Sequence, residues 1–389
     1  MYYTYFPTWF IILSKQKEGM SMSQYYKYDF VGSFLRPAYL RKARAAYNNG
    51  ELSYEELKLQ EDNAIRDLVA KEKAAGYHVI TDGEFRRATW HLDFIWNFNG
   101  INHQIERGNE TFNGEVAIID SVHIDGKISV DHHPFVDHFK FVQALCDEQT
   151  QAKQTIPAPG QFYAIFTGQD EIENTKHYYP DLEDLRKDII NGYTKVIEDL
   201  YEAGCRIVQF DDCTWGGFVN PQITSSLTGL SQEELPAYMD TLIDINNAVI
   251  DQAPDDLTIN THICRGNYHS TYFSSGAYDA VAPYVFAKQH VDGFYLEFDD
   301  ERSGGFTPLR YIPKDKHVVL GLITTKSPFL ENEEKVIQRL TQASEYVDPD
   351  RLSLSPQCGF ASCEIGNKLS EAQQWKKLEL VKEIASKAF

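Results

Sequence analysis

The chain has 389 residues, 42% of them hydrophobic and 24% charged, with a formal net charge of −20 at pH 7. That length suits one decorated α/β barrel with a large core, and so acidic a balance argues against nucleic acid and anionic lipid as partners. Six cysteines, at 146, 205, 213, 264, 358 and 363, form no regular framework, which points to reduced thiols and a cytoplasmic location rather than a disulfide scaffold.

The N-terminal stretch "MYYTYFPTWFIILSK" is aromatic and apolar. Its apolar run is too short to span a bilayer and has no basic region ahead of it, so it reads neither as a membrane helix nor as a signal peptide. Met20 and Met22 follow at once. Residues 1–22 are therefore expected to be an extension, disordered or not native, with a peripheral membrane anchor as the alternative. Residues 23–389 are expected to form a single domain.

From there strand-like and helix-like runs alternate. "DFVGSF" (29–34) reads as a short strand. Residues 53–76 have helical period, a Ser cap with Glu three residues on, and a terminal Gly. "YHVITDGEF" (77–85) reads as a strand, and "TIPAPGQFYAI" (155–165) as another, interrupted by prolines. Helix 181–204 leads into strand 205–212, and helix 231–252 into strand 257–264. Strands 291–300, 317–326 and 351–359 follow, the last two flanking helix 331–347, and a helix over 370–387 ends the chain. Alternation implies parallel pairing, and eight units imply a closed (β/α)8 TIM barrel. A doubly wound open sheet is the competitor, but no phosphate-binding glycine fingerprint follows the first strand. Residues 97–135 break the pattern, and "TFNGEVAIIDSVHIDGKISVDHH" reads as a β-hairpin insertion between the second and third units, turning at "DGK".

Active sites of such barrels form at the C-terminal ends of the strands. Those ends carry Ser33, then Asp82 and Glu84, Asp211 and Asp212, His262 and Cys264, Glu297 with Asp299 and Asp300, Lys326, and Cys358. Side chains two apart in a strand point the same way, so His262 and Cys264 can reach one metal ion. With Cys358 and Glu297 on other strands they make a natural Zn2+ set. Alone, an HxC pair is a weak signal, and Cys358 alone reads equally as a buried apolar thiol. Glu84 and Asp211 either hold a cation or bridge arginines such as Arg86. Cys146, Cys205 and Cys213 are assigned to packing, and His132, His133 and His138 to a solvated loop.

In order, "VGSF" (31–34), "DGE" (82–84), "VQFDD" (208–212), "HIC" (262–264), "LEF" (296–298), "KSP" (326–328) and "PQCG" (356–359) resemble the catalytic, C-terminal barrel of cobalamin-independent methionine synthase, in the form of its short, single-barrel bacterial members. The resemblance covers residues 28–387. It implies Zn2+ held at His262, Cys264, Glu297 and Cys358. It implies the amino-acid end of homocysteine at Val31, Ser33, Glu84 and Asp211, and a methyl group passed from 5-methyltetrahydrofolate to the homocysteine sulfur to give methionine. Two carboxylates suit an α-ammonium group, and an alkyl thiol of pKa ~8.5 needs a metal to become a thiolate at neutral pH.

Three departures bear on the methyl donor. The resemblance covers the catalytic barrel and does not extend to the family's additional N-terminal barrel. "KSP" stands where the family has "HSP", which makes Lys326 the candidate acid or cation in place of a proton-donating histidine. "DDCTWGG" (211–217) replaces the usual loop, with Trp215 a candidate platform for the donor. A zinc alkyltransferase for another thiol or donor, and a non-catalytic zinc- or methionine-binding barrel, are the alternatives. The expected partners are small molecules, with an oligomer left open.

Overall fold

The computed structural model describes residues 25–105 and 111–389, so the extension expected over residues 1–22 lies outside the described residues. The fold is α/β with a parallel sheet. Its strands are β1 (Val79–Ile80), β2 (Asn99–Gln104), β3 (Thr111–Phe112), β4 (Glu115–Val116), β5 (Ser121–Ser129), β6 (Gln151–Ala152), β7 (Gln154–Pro157), β8 (Ile207–Asp211), β9 (Thr258–Ile263), β10 (Gly293–Glu297), β11 (His317–Ile323) and β12 (Leu352–Pro356).

Six strands pair in parallel in the order β12-β11-β10-β9-β8-β7, and β1 pairs in parallel with β6. Only Lys153 separates β6 from β7, and its N–H donates to the Ile80 carbonyl at 2.8 Å. One extended segment thus pairs with β1 through its first half and with β8 through its second. Tyr28 makes a parallel bridge to Leu354 of β12. The Phe34 N–H donates to the Gly83 carbonyl at 3.1 Å, and Thr81 Oγ1 to the Gly32 carbonyl at 2.8 Å.

Local chemistry explains where the elements begin. Ser53 accepts from the Glu56 N–H while the Glu56 carboxylate accepts from the Ser53 N–H, a full capping box that starts helix Tyr54–Ala74. Ser370 and Gln373 repeat the device at helix Glu371–Ala388. Helix Leu182–Glu202 runs into β8 and helix Leu235–Ile250 into β9, each burying an apolar stripe (Leu185, Ile189, Val196 and Leu200 in the first). No helix among the described residues is long and apolar enough to cross a membrane.

Four expectations change. Residues 29–34 form no regular strand beyond the bridge at Tyr28, because Gly32 sits at φ +153° and a Cβ there would lie 2.9 Å from Thr155 Cγ2. The 155–165 segment is strand only to Pro157. Pro159 then opens helix Pro159–Thr167, where a missing N–H at the first turn costs nothing.

The "DGK" stretch is not a turn, since Asp125, Gly126 and Lys127 lie inside β5, which pairs antiparallel with β2; the register shifts there, Ser129 facing Asn99 but Ile124 facing Ile101, so the extra residues bulge from β5. The turn is instead Asn113-Gly114, both at positive φ, joining β3 to β4. His133 does not belong to a solvated loop. It is fully buried, accepts from the Phe135 N–H at the start of helix Pro134–Gln143, and bonds the Phe94 carbonyl at 2.9 Å. Burial lowers its pKa to about 4. His132 is exposed beside Asp137, and His138 lies on the same helix.

Phe94, Phe98, Phe162, Phe166 and Tyr193 pack ring against ring where that helix layer meets β7. Phe162 is fully buried. Phe162→Ala should therefore lower the unfolding free energy by ~3–5 kcal/mol, read by denaturant titration. A loss below ~1 kcal/mol would contradict this packing.

Candidate active site

Parallel register places Asp211 of β8 beside His262 of β9. The Asp211 carboxylate bonds His262 Nδ1 at 2.9 Å, and Nε2 lies 3.3 Å from the Gln357 carbonyl. One ring nitrogen of His262 and the sulfurs of Cys264 and Cys358 lie within 4.8 Å of one another, all buried. Donors around one tetrahedral zinc, at ~2.0–2.3 Å from it, stand roughly 3.5–3.8 Å apart, so this group fits such an ion with small adjustments. A carboxylate behind the imidazole is the usual means of fixing the ring of a metal-binding histidine.

A third sulfur, unforeseen in the sequence, is close. Cys213 Sγ is 3.4 Å from Cys264 Sγ, and no disulfide links them. The neighbouring thiols of Cys213 and Cys358 hold the Cys264 pKa well below its ordinary value despite burial, and their own are raised. Burial opposes charge on His262. The Asp211 hydrogen bond and the neighbouring Cys264 and Asp211 charges outweigh it and raise its pKa to about 9. The sequence signal for Cys213 was its place directly after the acidic pair that ends β8.

The Cys213 loop is pinned from both sides. Gly216 lies against β9 so tightly that a Cβ would be 1.9 Å from the Cys264 carbonyl oxygen. Trp215 is fully buried and its indole N–H donates to Asp212 at 2.9 Å, with Asn246 donating to the same oxygen. Trp215 is thus an anchor in the core and not a platform facing a ligand. Burial raises the Asp212 pKa to about 6.

Glu297 does not join the sulfur–imidazole group. Its carboxylate accepts from the Arg265 N–H at 3.0 Å and pairs with Arg302 at 3.3 Å and Lys326 at 3.8 Å. Lys326 is buried, and apart from this ion pair its ammonium has no hydrogen-bond partner. Burial opposes its charge, but Glu297, Asp299 and Cys358 together raise its pKa.

A cavity of about 490 Å³ opens onto the sulfurs, and Val31, Ser33, Glu84 and Asp211 line it with them. Lys326 and Glu297 are not on its wall. Glu84 sits at φ +60°, a strained setting for a non-glycine residue. Its turn is held by Asp82, which accepts the Glu84 N–H, and by Arg36, which donates to the Glu84 carbonyl. One carboxylate oxygen accepts from Thr155 at 3.1 Å and faces Arg87 at 3.4 Å; the other is buried with no partner. Burial, with the Asp211 charge and against the pull of Arg87, raises the Glu84 pKa to about 7. The arginine Glu84 meets is Arg87, whereas Arg86 pairs with Glu61 and Asp62. The outer part of the cavity is aromatic. Phe112, from the β3–β4 hairpin, packs on Tyr268 and Phe273, and Glu115 ties the hairpin down through His269 and Lys368.

Known proteins resemble this chain over most of its length. The family described as "Cobalamin-independent synthase, Catalytic domain" matches residues 29–385. The uncharacterized protein YxjG of Bacillus subtilis (strain 168) is 40% identical over 376 residues, 96% of this chain and 97% of that one. The crystal structure of a candidate vitamin-B12 independent methionine synthase from Listeria monocytogenes superposes with a TM-score of 0.73 at 34% identity, covering 94% of this chain and 98% of that one. A B12-independent methionine synthase from Shewanella sp. W3-18-1, solved in complex with selenomethionine, shares the fold with a TM-score of 0.69 at 21% identity, over 92% and 96% of the two chains. The protein belongs to the cobalamin-independent synthase catalytic-domain family and is a methyltransferase of the methionine synthase type.

Proposed function

We propose that the protein is a zinc-dependent homocysteine S-methyltransferase, working on a closed (β/α)8 barrel that forms one domain over residues 23–389, with residues 97–135 inserted at the rim. The observation that carries this reading is the shared cavity. The buried His262, Cys264 and Cys358 group and the two carboxylates of Glu84 and Asp211 face the same space. A metal centre and an ammonium site side by side match a thiol amino acid. An anionic sulfonate thiol would meet two acidic groups, which disfavours it.

A zinc ion held there supplies the Lewis acidity that ionises a thiol at neutral pH. The chain's own residues do the remainder. Asp211 fixes the His262 ring, so that the imidazole keeps one orientation while the sulfurs rearrange. The unpartnered Glu84 oxygen accepts from the homocysteine ammonium, whose charge favours ionised Glu84. The 31–33 backbone and Ser33 bracket the amino-acid carboxylate. The aromatic outer wall, with Phe112 and Trp90, receives the flat ring of the donor, taken as 5-methyltetrahydrofolate. As methyl passes to sulfur, the new S–C bond forms while the bond to the donor nitrogen breaks, and that nitrogen takes up a proton. Lys326, buried against Glu297 and off the cavity wall, serves as a counter-charge rather than as that proton donor. The setting is cytoplasmic and the partners are small molecules.

The test is zinc content by elemental analysis of reduced protein, with proton release followed during titration with L-homocysteine. About one zinc per chain and a proton released at neutral pH are expected; an absence of zinc would end the proposal. His262→Ala and Cys358→Ser should each lose metal and activity while the far-UV spectrum stays native. Normal zinc in either would remove that residue from the centre. Glu84→Gln should keep its zinc and weaken homocysteine binding roughly 10- to 100-fold, the worth of a hydrogen bond to a charged group. An unchanged affinity would refute the ammonium role.

A further inference from the structure

We propose that Arg87 is a positioning residue for the amino-acid end of the substrate: it stands behind Glu84 as its counter-charge and, through the Thr155 hydroxyl, fixes which carboxylate oxygen is left for the ammonium. This deepens the reading of Glu84 as the ammonium site and rests on it.

The geometry is a closed set of donors and acceptors. The Arg87 side chain is buried, 1% exposed. One terminal nitrogen donates to the Thr155 carbonyl at 2.8 Å and to the Thr155 hydroxyl at 3.0 Å. The other lies 3.4 Å from Glu84 Oε1 and 3.4 Å from the Trp90 carbonyl. Arginine can only donate. The Thr155 hydroxyl therefore accepts from Arg87 and directs its own hydrogen to Glu84 Oε1, at 3.1 Å. Both contacts fall on the same carboxylate oxygen, and Oε2 is left buried without a partner.

The backbone holds this arrangement. The Arg87 N–H donates to the Glu84 carbonyl at 3.0 Å, and Glu84 sits at φ +60°, so the turn brings the guanidinium back to the carboxylate three residues before it. Arg36 clamps the same turn, donating to the carbonyls of Glu84 and Arg87 at 2.6 and 3.1 Å.

Charge matters as much as aim. Burial opposes ionisation of Glu84. Of the charges around it, Arg87 acts most strongly in favour, ahead of Arg36, while Asp211 at the end of β8 and Asp82 in its own turn act against. The Phe135 ring of helix Pro134–Gln143 lies 4.5 Å from the guanidinium and covers it, so the Arg87 charge is little screened by water. Without that charge Glu84, buried near two other carboxylates, takes up a proton at neutral pH and offers an ammonium no counter-charge.

The experiment measures L-methionine binding by calorimetry across the neutral pH range, on reduced protein supplied with Zn2+. Methionine has the same amino-acid end as homocysteine and no ionisable thiol. In the wild type, affinity should fall as pH drops through about 7, where Glu84 takes up its proton. Arg87→Met should weaken binding at neutral pH roughly 10- to 100-fold and move that fall upward by about one to three pH units. Arg87→Lys restores the charge and should return the profile toward that of the wild type. Thr155→Val keeps Arg87 and the shape of the side chain but removes the hydroxyl, and should weaken binding roughly 3- to 10-fold. An arginine that only holds the fold together would weaken binding without moving the pH profile, and that result in Arg87→Met would overturn the assignment. Should Arg87→Met not fold, Thr155→Val decides, and unchanged affinity there overturns it. A wild type that binds no L-methionine would overturn the ammonium site itself, and this assignment with it.

Discussion

The hydrogen bond that the Asp211 carboxylate accepts from His262 is the contact on which the site depends. It exists because β8 and β9 are parallel neighbours in a register that sets these two residues side by side. Shift that register by one residue and the imidazole would point away from the cavity, since successive side chains in a strand face opposite sides. Every other member of the site is arranged about it. Cys264 lies two residues further along β9, Cys358 enters just past the end of β12, and Cys213 follows β8.

Around this contact the protein keeps charges buried by pairing them. Glu84 meets Arg87, and Glu297 meets Arg302 and Lys326. The two carboxylates differ in what is left over. Glu297 has both oxygens engaged. Glu84 keeps one buried oxygen unpaired, in a strained backbone setting fixed by Asp82 and Arg36. A buried acceptor without a donor costs free energy that a bound ammonium recovers, so two carboxylates at equivalent strand ends perform different work.

The rim is where this chain has its own character. The antiparallel β2–β5 pair and the β3–β4 hairpin bring Phe112 over the cavity mouth, tied to the main body through Glu115. The loop after β8 brings the Cys213 sulfur against Cys264. Phe112 and Cys213 both line the cavity.

Much of this was legible in the chain alone. Period and capping chemistry located helix Tyr54–Ala74 to within two residues, because Ser53 and Glu56 act on neighbours three positions away. The spacing of His262 and Cys264 implied a shared face, since strand alternation is local. The sequence by itself thus determined the alternating elements and the residues at the strand ends. It did not determine their partners. That Cys213 meets Cys264, that Lys326 pairs with Glu297, that Trp215 is an anchor and that "DGK" lies within β5 at its register shift against β2 all follow from contacts between residues far apart in the chain. Such contacts are decided by packing and by which buried charge finds which counter-charge, and only the tertiary structure settles those.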